Sequence, residues 1–225
     1  MTTRQPSNPT FPRDIAFPRH YLSIGTLDTP LPVSSGVQPS EPLPYQWSCH
    51  VETEQGLIDQ FGFLDTRGLD PRREMVETLL AVIARKGAIL VHSARETALL
   101  HGLQQRLADS TGALADALTR LVEVDRFANQ RKKPAAPRSL SGDHPAASVI
   151  WPDDAVDPSA DLRDDLAAQA AYLELIDART QNIRRRQLTR ALVRYGDRQL
   201  SELVRAFAEH TGGDPASSAP GPMLN

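Results

Sequence analysis

Apolar and polar side chains alternate with a period of two over the first third of the chain and then change to a helical period. In "YLSIGT" (21–26), Tyr21, Ser23 and Gly25 alternate with Leu22, Ile24 and Thr26, which predicts a strand over 20–26 with Ser23 and Gly25 on one side. In "YQWSCHVET", Tyr45, Trp47, Cys49 and Val51 take one face and Gln46, Ser48, His50 and Glu52 the other, a second strand. "LIDQFGFLD" (57–65) follows a short turn at Gly56, so strands two and three form an antiparallel hairpin. "DPRREMVETLLAVIARKG" reads as a helix with Asp70 as cap, Pro71 at its first position and Gly87 as its stop. "AILV" (88–91) is a continuous apolar run, as in a parallel strand covered on both faces.

Helices are predicted next at 94–109 and 111–124. Residues 126–160 break the rhythm, with "RFANQRKKPAAPR" wholly basic in its charges and "PDDAVDPSADLRDD" carrying six aspartates around one arginine. They read as a long charged surface insert. Helices resume at 161–177, 180–195 and 197–210. Residues 1–19 hold four prolines and read as a disordered arm, and 212–225 as a disordered tail, which leaves one domain over 20–211.

Composition narrows the class. A chain of 225 residues with 40% hydrophobic and 24% charged side chains suits one globular domain with disordered ends. A net charge of −3 supplies no overall basic field for nucleic acid. Cys49 is the only cysteine, which excludes an internal disulfide and a cysteine-built zinc site and fits a reducing cytoplasm. No run approaches the roughly 18 apolar residues of a membrane span. "MTTRQPSNPTFPRD" lacks the apolar core of a secretory signal, so a cytoplasmic protein without a membrane partner is expected.

Three strands, a helix, a parallel strand and further helices make an α/β domain. The order is that of an RNase H-like fold: three antiparallel strands, a crossover helix and a fourth strand returning beside the first in a mixed sheet flanked by helices. The quoted stretches "YLSIGT", "PYQWSCH", "DPRREMVETLL", "GAILVHSARE", "AQAAYLELID" and "YGDRQL" occur in that order over about 20–210. On them the chain resembles an uncharacterised bacterial domain family, domain of unknown function 2779. That family's motifs look like those of DnaQ-type (DEDD) 3′–5′ exonucleases: F-L-D-F-E-T on the first strand, and Y-C-x-x-D-T on the last helix.

The resemblance implies a site at named positions. In DEDD nucleases four carboxylates hold two divalent cations about 4 Å apart, one activating water and the other stabilising the leaving oxygen. Carried onto this chain, the strand aspartate falls on Ser23, the glutamate on Gly25, the position after the fourth strand on Ser93 and the late aspartate on Gln199. Glu96 is the one acid retained. Hard cations need carboxylate oxygens, so the resemblance implies a degenerate nuclease that binds nucleic acid or a protein partner without hydrolysis and without a cofactor. The alternative is an active exonuclease whose Mg²⁺ or Mn²⁺ ligands have relocated, with Asp28, Glu52 and Asp197 as nearby acids; Asp197 lies two positions from Gln199 and faces away on a helix.

Other chemistries find no motif. The six histidines show no H-x-x-x-H or H-E-x-x-H spacing, and no P-loop, G-x-G-x-x-G or G-x-S-x-G occurs. His92 reads as a polar strand end and Cys49 as a buried inert thiol. The strongest charge signal lies between Arg179 and Arg205, where eight arginines face Asp197 and Glu202. Arg186, Arg190, Arg194 and Arg198 recur every four residues and form one row opposite a stripe of Leu188, Leu192, Tyr195 and Gln199. Such a row suits the phosphates of DNA or RNA; pairing with the Asp-rich segment 153–165 explains it equally well.

Overall fold

The computed structural model describes residues 15–28, 42–56, 58–83, 86–107, 111–128 and 162–211. The alternating segments form β1 (Arg19–Leu27), β2 (Leu43–Glu52) and β3 (Ile58–Leu64). The apolar run forms β4 (Ala88–Val91), and β5 (Leu121–Glu123) completes a five-stranded sheet in the order β3-β2-β1-β4-β5. β1 pairs antiparallel with β2, and β2 with β3, whereas β4 runs parallel to both β1 and β5. The fold is α/β with a mixed sheet.

Helices cover both faces. α1 (Arg72–Val82), α2 (Ala94–Arg106) and α3 (Thr111–Leu118) pack on one side, where Leu22, Trp47, Met75, Leu79, Leu100 and Leu114 belong to one apolar cluster. Burying each such side chain stabilises the fold by about 1.5–3 kcal/mol. A short α4 (Asp125–Ala128) follows β5. α5 (Asp165–Ile176) and α6 (Asn182–Thr211) cover the other side, where the apolar contacts divide into two clusters. One joins Tyr45 and Leu27 to α5 and to Leu188, Leu192 and Tyr195 of α6. The other joins Tyr21 and Leu90 to Leu200, Leu203 and Phe207.

Local signals place several ends correctly to within a residue. α1 begins at Arg72 with Pro71, not Asp70, at the N-cap position, one residue later than expected, and the Asp70 carboxylate accepts the Arg72 backbone N–H at 3.1 Å from just before it. Gly87 does not stop this helix, which ends at Val82. Its φ of +83° and the approach of Pro18, whose carbonyl oxygen would lie 2.0 Å from an added Cβ, are what require glycine there.

Three expectations are corrected by long-range contacts. Tyr45 does not share a face with Trp47 and Cys49. Gly25 pairs with Gln46 but Thr26 with Pro44, so Tyr45 is the extra residue of a β-bulge. The bulge turns its ring onto Tyr172 of α5, stacked at 4.1 Å and 9°. The predicted helix 111–124 ends at Leu118, and its last residues form β5, which exists because β4 offers a free edge. The predicted helices 180–195 and 197–210 are one 30-residue helix running through Gly196.

Residues 15–19, read as part of the arm, are held against the domain. Ile15 is buried, Ala16 accepts the Ala88 N–H at 3.0 Å, and Arg19 opens β1. The rest of the arm, the tail and the insert beyond Ala128 up to residue 160 lie outside the described residues. Among the described residues, no helix is long and apolar enough to cross a membrane.

Candidate functional site: a polar cleft beside β1

A mismatch in strand length creates the site. β4 has four residues and pairs along β1 only with Arg19–Tyr21, so among the described residues the second half of nine-residue β1 has no strand neighbour on that edge. The chain leaves β4 through His92 and Ser93 and enters α2 beside this gap, while α6 crosses behind it at Tyr195–Gln199. The result is a cleft of about 230 Å³ beyond the carboxyl end of a parallel strand, the usual position of a crevice in open α/β sheets.

All five positions named from the resemblance, Ser23, Gly25, Ser93, Glu96 and Gln199, line this cleft. Gln46, Ser48, His92, Tyr195 and Gly196 line it as well, and they were not among the candidate site positions. The alternation of β2 holds the missed signal: Gln46 and Ser48 are its polar face, yet they are 4% and 5% exposed. Buried polar side chains of this kind require a partner or a function.

Four bonds fix the cleft walls. Gln46 donates its Nε2 to the Leu192 carbonyl of α6 at 2.9 Å. His92 Nε2 lies 3.0 Å from the Gln199 carbonyl, tying the end of β4 to α6. Ser93 caps α2, and Glu96 accepts from both the Ser93 backbone N–H (3.1 Å) and its hydroxyl (2.8 Å), a complete capping box. Gly196 lets α6 approach the sheet, because an added Cβ would lie 2.3 Å from Ser48 Oγ and 2.7 Å from Gln46 Nε2. That close approach explains a glycine in mid-helix, where it costs about 1 kcal/mol against alanine.

The charged side chains of the lining are Arg95, Glu96 and Asp165. Arg95 donates to Thr26 Oγ1 at 2.8 Å and to Asp28 at 2.5 Å, and lies 3.9 Å from Asp165. Tyr195 donates to the other oxygen of Asp165 at 2.5 Å. Burial pushes the hydroxyls of Tyr45 and Tyr195 well above the usual phenol range, and the Asp165 carboxylate adds to both shifts. Both rings are therefore neutral walls at physiological pH.

These residues do not fit a pair of divalent cations. Ser23, Gly25, Ser93 and Gln199 offer no carboxylate, and Glu96 is engaged in the cap. The acids considered as replacements lie elsewhere or are committed. Asp28 is bonded to Arg95, and Glu52 sits across from Arg19 at the opposite end of β1, accepting the Tyr21 hydroxyl at 2.8 Å. Asp197 is not part of the lining, and burial raises its carboxyl above the ordinary range. Among the described residues, no three His, Cys, Asp or Glu side chains are grouped to hold a metal ion.

The arginine-rich run divides in two. Arg179 and Arg184 pair with Asp177 and Glu174, and Arg185 donates to the carbonyls of Thr180 and Asp177, so these three brace the α5–α6 turn. Arg186, Arg190 and Arg194 are exposed on α6, opposite buried Leu188, Leu192 and Tyr195. Arg198 departs from the row: it is half-buried, donates to the Leu162 carbonyl and lies 5.1 Å from the Tyr195 ring centre. Of the Asp-rich segment offered as an internal partner, 153–161 lies outside the described residues, while Asp165 meets Arg95 and Tyr195.

A family model described as "Domain of unknown function (DUF2779)" matches residues 20–142, which is more than half of the chain. The match takes in the whole sheet, Ser23, Gly25, Ser93 and Glu96, and stops short of the α6 wall of the cleft. No curated protein and no solved structure matches the chain. With all five strands inside that match except for Arg19, the chain belongs to the DUF2779 family.

Proposed function

We propose that this protein is a non-hydrolysing nucleic-acid-binding protein on an RNase H-like framework of the DnaQ-exonuclease type. The strand order β3-β2-β1-β4-β5, with β4 and β5 parallel to β1, supports the framework. The observation that carries the loss of hydrolysis is the convergence of Ser23, Gly25, Ser93 and Gln199 on one cleft whose remaining acid, Glu96, caps a helix. The exposed row of Arg186, Arg190 and Arg194 supports phosphate binding on the outer surface of α6.

Fluorescence anisotropy with labelled single- and double-stranded DNA and RNA, titrated with salt, tests this reading. Affinity falls as a power of salt concentration, with a log–log slope of about −0.7 to −0.9 for each phosphate neutralised. Replacing Arg186, Arg190 and Arg194 together by glutamine reduces the slope by roughly two to three. Absent or salt-independent binding overturns the nucleic-acid reading and leaves a protein partner. Digestion of the same probes with Mg²⁺ or Mn²⁺, abolished by a chelator and by Glu96→Ala, overturns the loss of hydrolysis.

A further inference from the structure

The interior of the cleft contains more hydrogen-bonding capacity than the fold uses. Ser48 is 95% buried, as its 5% exposure states, yet its hydroxyl bonds to nothing among the described residues. Gln46 uses its amide N–H on Leu192, while its carbonyl oxygen has no protein partner there. The Ser23 hydroxyl and the Gln199 side-chain amide are also unengaged among the described residues and line the same space. Ser48 and Gln46 are nearly buried and Ser23 and Gln199 half-buried, and all four open onto the cleft, where a ligand can bond to them.

We infer that this cleft binds a neutral, hydrogen-bonding heterocycle of nucleobase or nucleoside size, without phosphate. Size sets the first limit: about 230 Å³ lies below the roughly 300–1,000 Å³ of a drug-sized pocket. The lining sets the second. Two serine hydroxyls and two carboxamides present donors and acceptors together, as an edge of a base does, and Tyr45, Tyr195, Ile24 and Leu99 supply apolar walls. Charge sets the third. At the rim Asp28, Asp165 and Glu96 outnumber Arg95, which is already bonded to Asp28. Among the described residues, a phosphate there would meet carboxylates and no uncommitted cation, a repulsion that selects against charged forms. This site lies on the opposite side of α6 from the exposed arginine row, so it goes beyond the nucleic-acid reading and does not depend on it.

Isothermal titration of the full chain with adenosine, guanosine, cytidine, uridine and their four 5′-monophosphates tests the inference. At least one nucleoside is expected to saturate, with its monophosphate at least tenfold weaker. Ser48→Ala and Gln199→Ala are each expected to weaken that nucleoside by about three- to tenfold, the loss of one hydrogen bond. Gln199 bonds the fold through its backbone carbonyl, so its alanine variant keeps that contact even if Ser48→Ala fails to fold. No saturable nucleoside, a monophosphate binding as tightly as its nucleoside, or full affinity in folded variants overturns the site. Oligonucleotide binding by the same preparation separates the outcomes: nucleoside failure with oligonucleotide success removes the cleft ligand alone, and the reverse removes the arginine face alone.

Discussion

The two faces of the sheet are built on different terms. Against α1, α2 and α3 the contacts are apolar and continuous, and even the indole N–H of Trp47 is satisfied, by the Met75 carbonyl at 3.2 Å. Against α5 and α6 the apolar contacts separate into two clusters, and between them lie Ser23, Gln46, Ser48 and Gly196. The strands are the same on both sides, so the difference arises from alternation: Leu22 and Ile24 point one way, Ser23 and Gly25 the other. The face against α1, α2 and α3 is filled mainly with hydrocarbon. The other gives up that stabilisation where α6 crosses, and a polar cleft results.

Substitutions on the two faces should respond accordingly. The largest effect is expected at Leu79, fully buried on the apolar face. Leu79→Ala should lower unfolding free energy by about 2–5 kcal/mol in urea titration, because little can collapse into the space. A loss no larger than that of Ser48→Ala would abolish the distinction between the faces. Next comes Gly196→Ala, which drives a methyl into Ser48 Oγ and Gln46 Nε2 and should cost about 1–3 kcal/mol. Ser48→Gly in the same chain should recover part of that loss in a double-mutant cycle; strict additivity would show that the two residues do not meet.

The smallest effect concerns pH, and it treats the faces alike. His20 shares the Leu22 side of β1, and His50 stands opposite Tyr21 on the other side. Burial lowers the pKa of both from the ordinary value of 6.5; the Ala88 carbonyl bonded to His20 opposes that shift and Arg120 reinforces it. The folded state therefore binds fewer protons than the unfolded chain below that value. Stability should be level above about pH 6.5 with respect to these groups and decline as pH falls below it. Thermal melts of His20→Gln and His50→Gln should each show a shallower decline; an unchanged slope in both variants would remove the histidines as its cause.

The candidate site was legible in part. The period-two pattern of "YLSIGT" places Ser23 and Gly25 together, and Ser93 and Glu96 stand three apart at a helix start. Their meeting with Gln199 depends on α6 continuing through Gly196, which an isolated helix pattern treats as a break. The alternation of β2 alone does not single out Gln46 and Ser48, because polar residues on one face of a strand ordinarily meet solvent. Cys49 fits its reading as an inert thiol, since burial pushes it up to about 12.

Local pattern by itself determined the strands β1 to β4 and, to within a residue, the start of α1, because side-chain alternation and helix-end signals involve neighbours a few residues apart. Only the tertiary structure decided that Tyr45 turns away from Trp47, that Leu121–Glu123 becomes a strand, and that Gln46 and Ser48 are buried under α6. Each of those depends on a partner far along the chain, Gly25 and Tyr172, β4, or Leu192 and Gly196. The free energy of such contacts is absent from any short window of sequence.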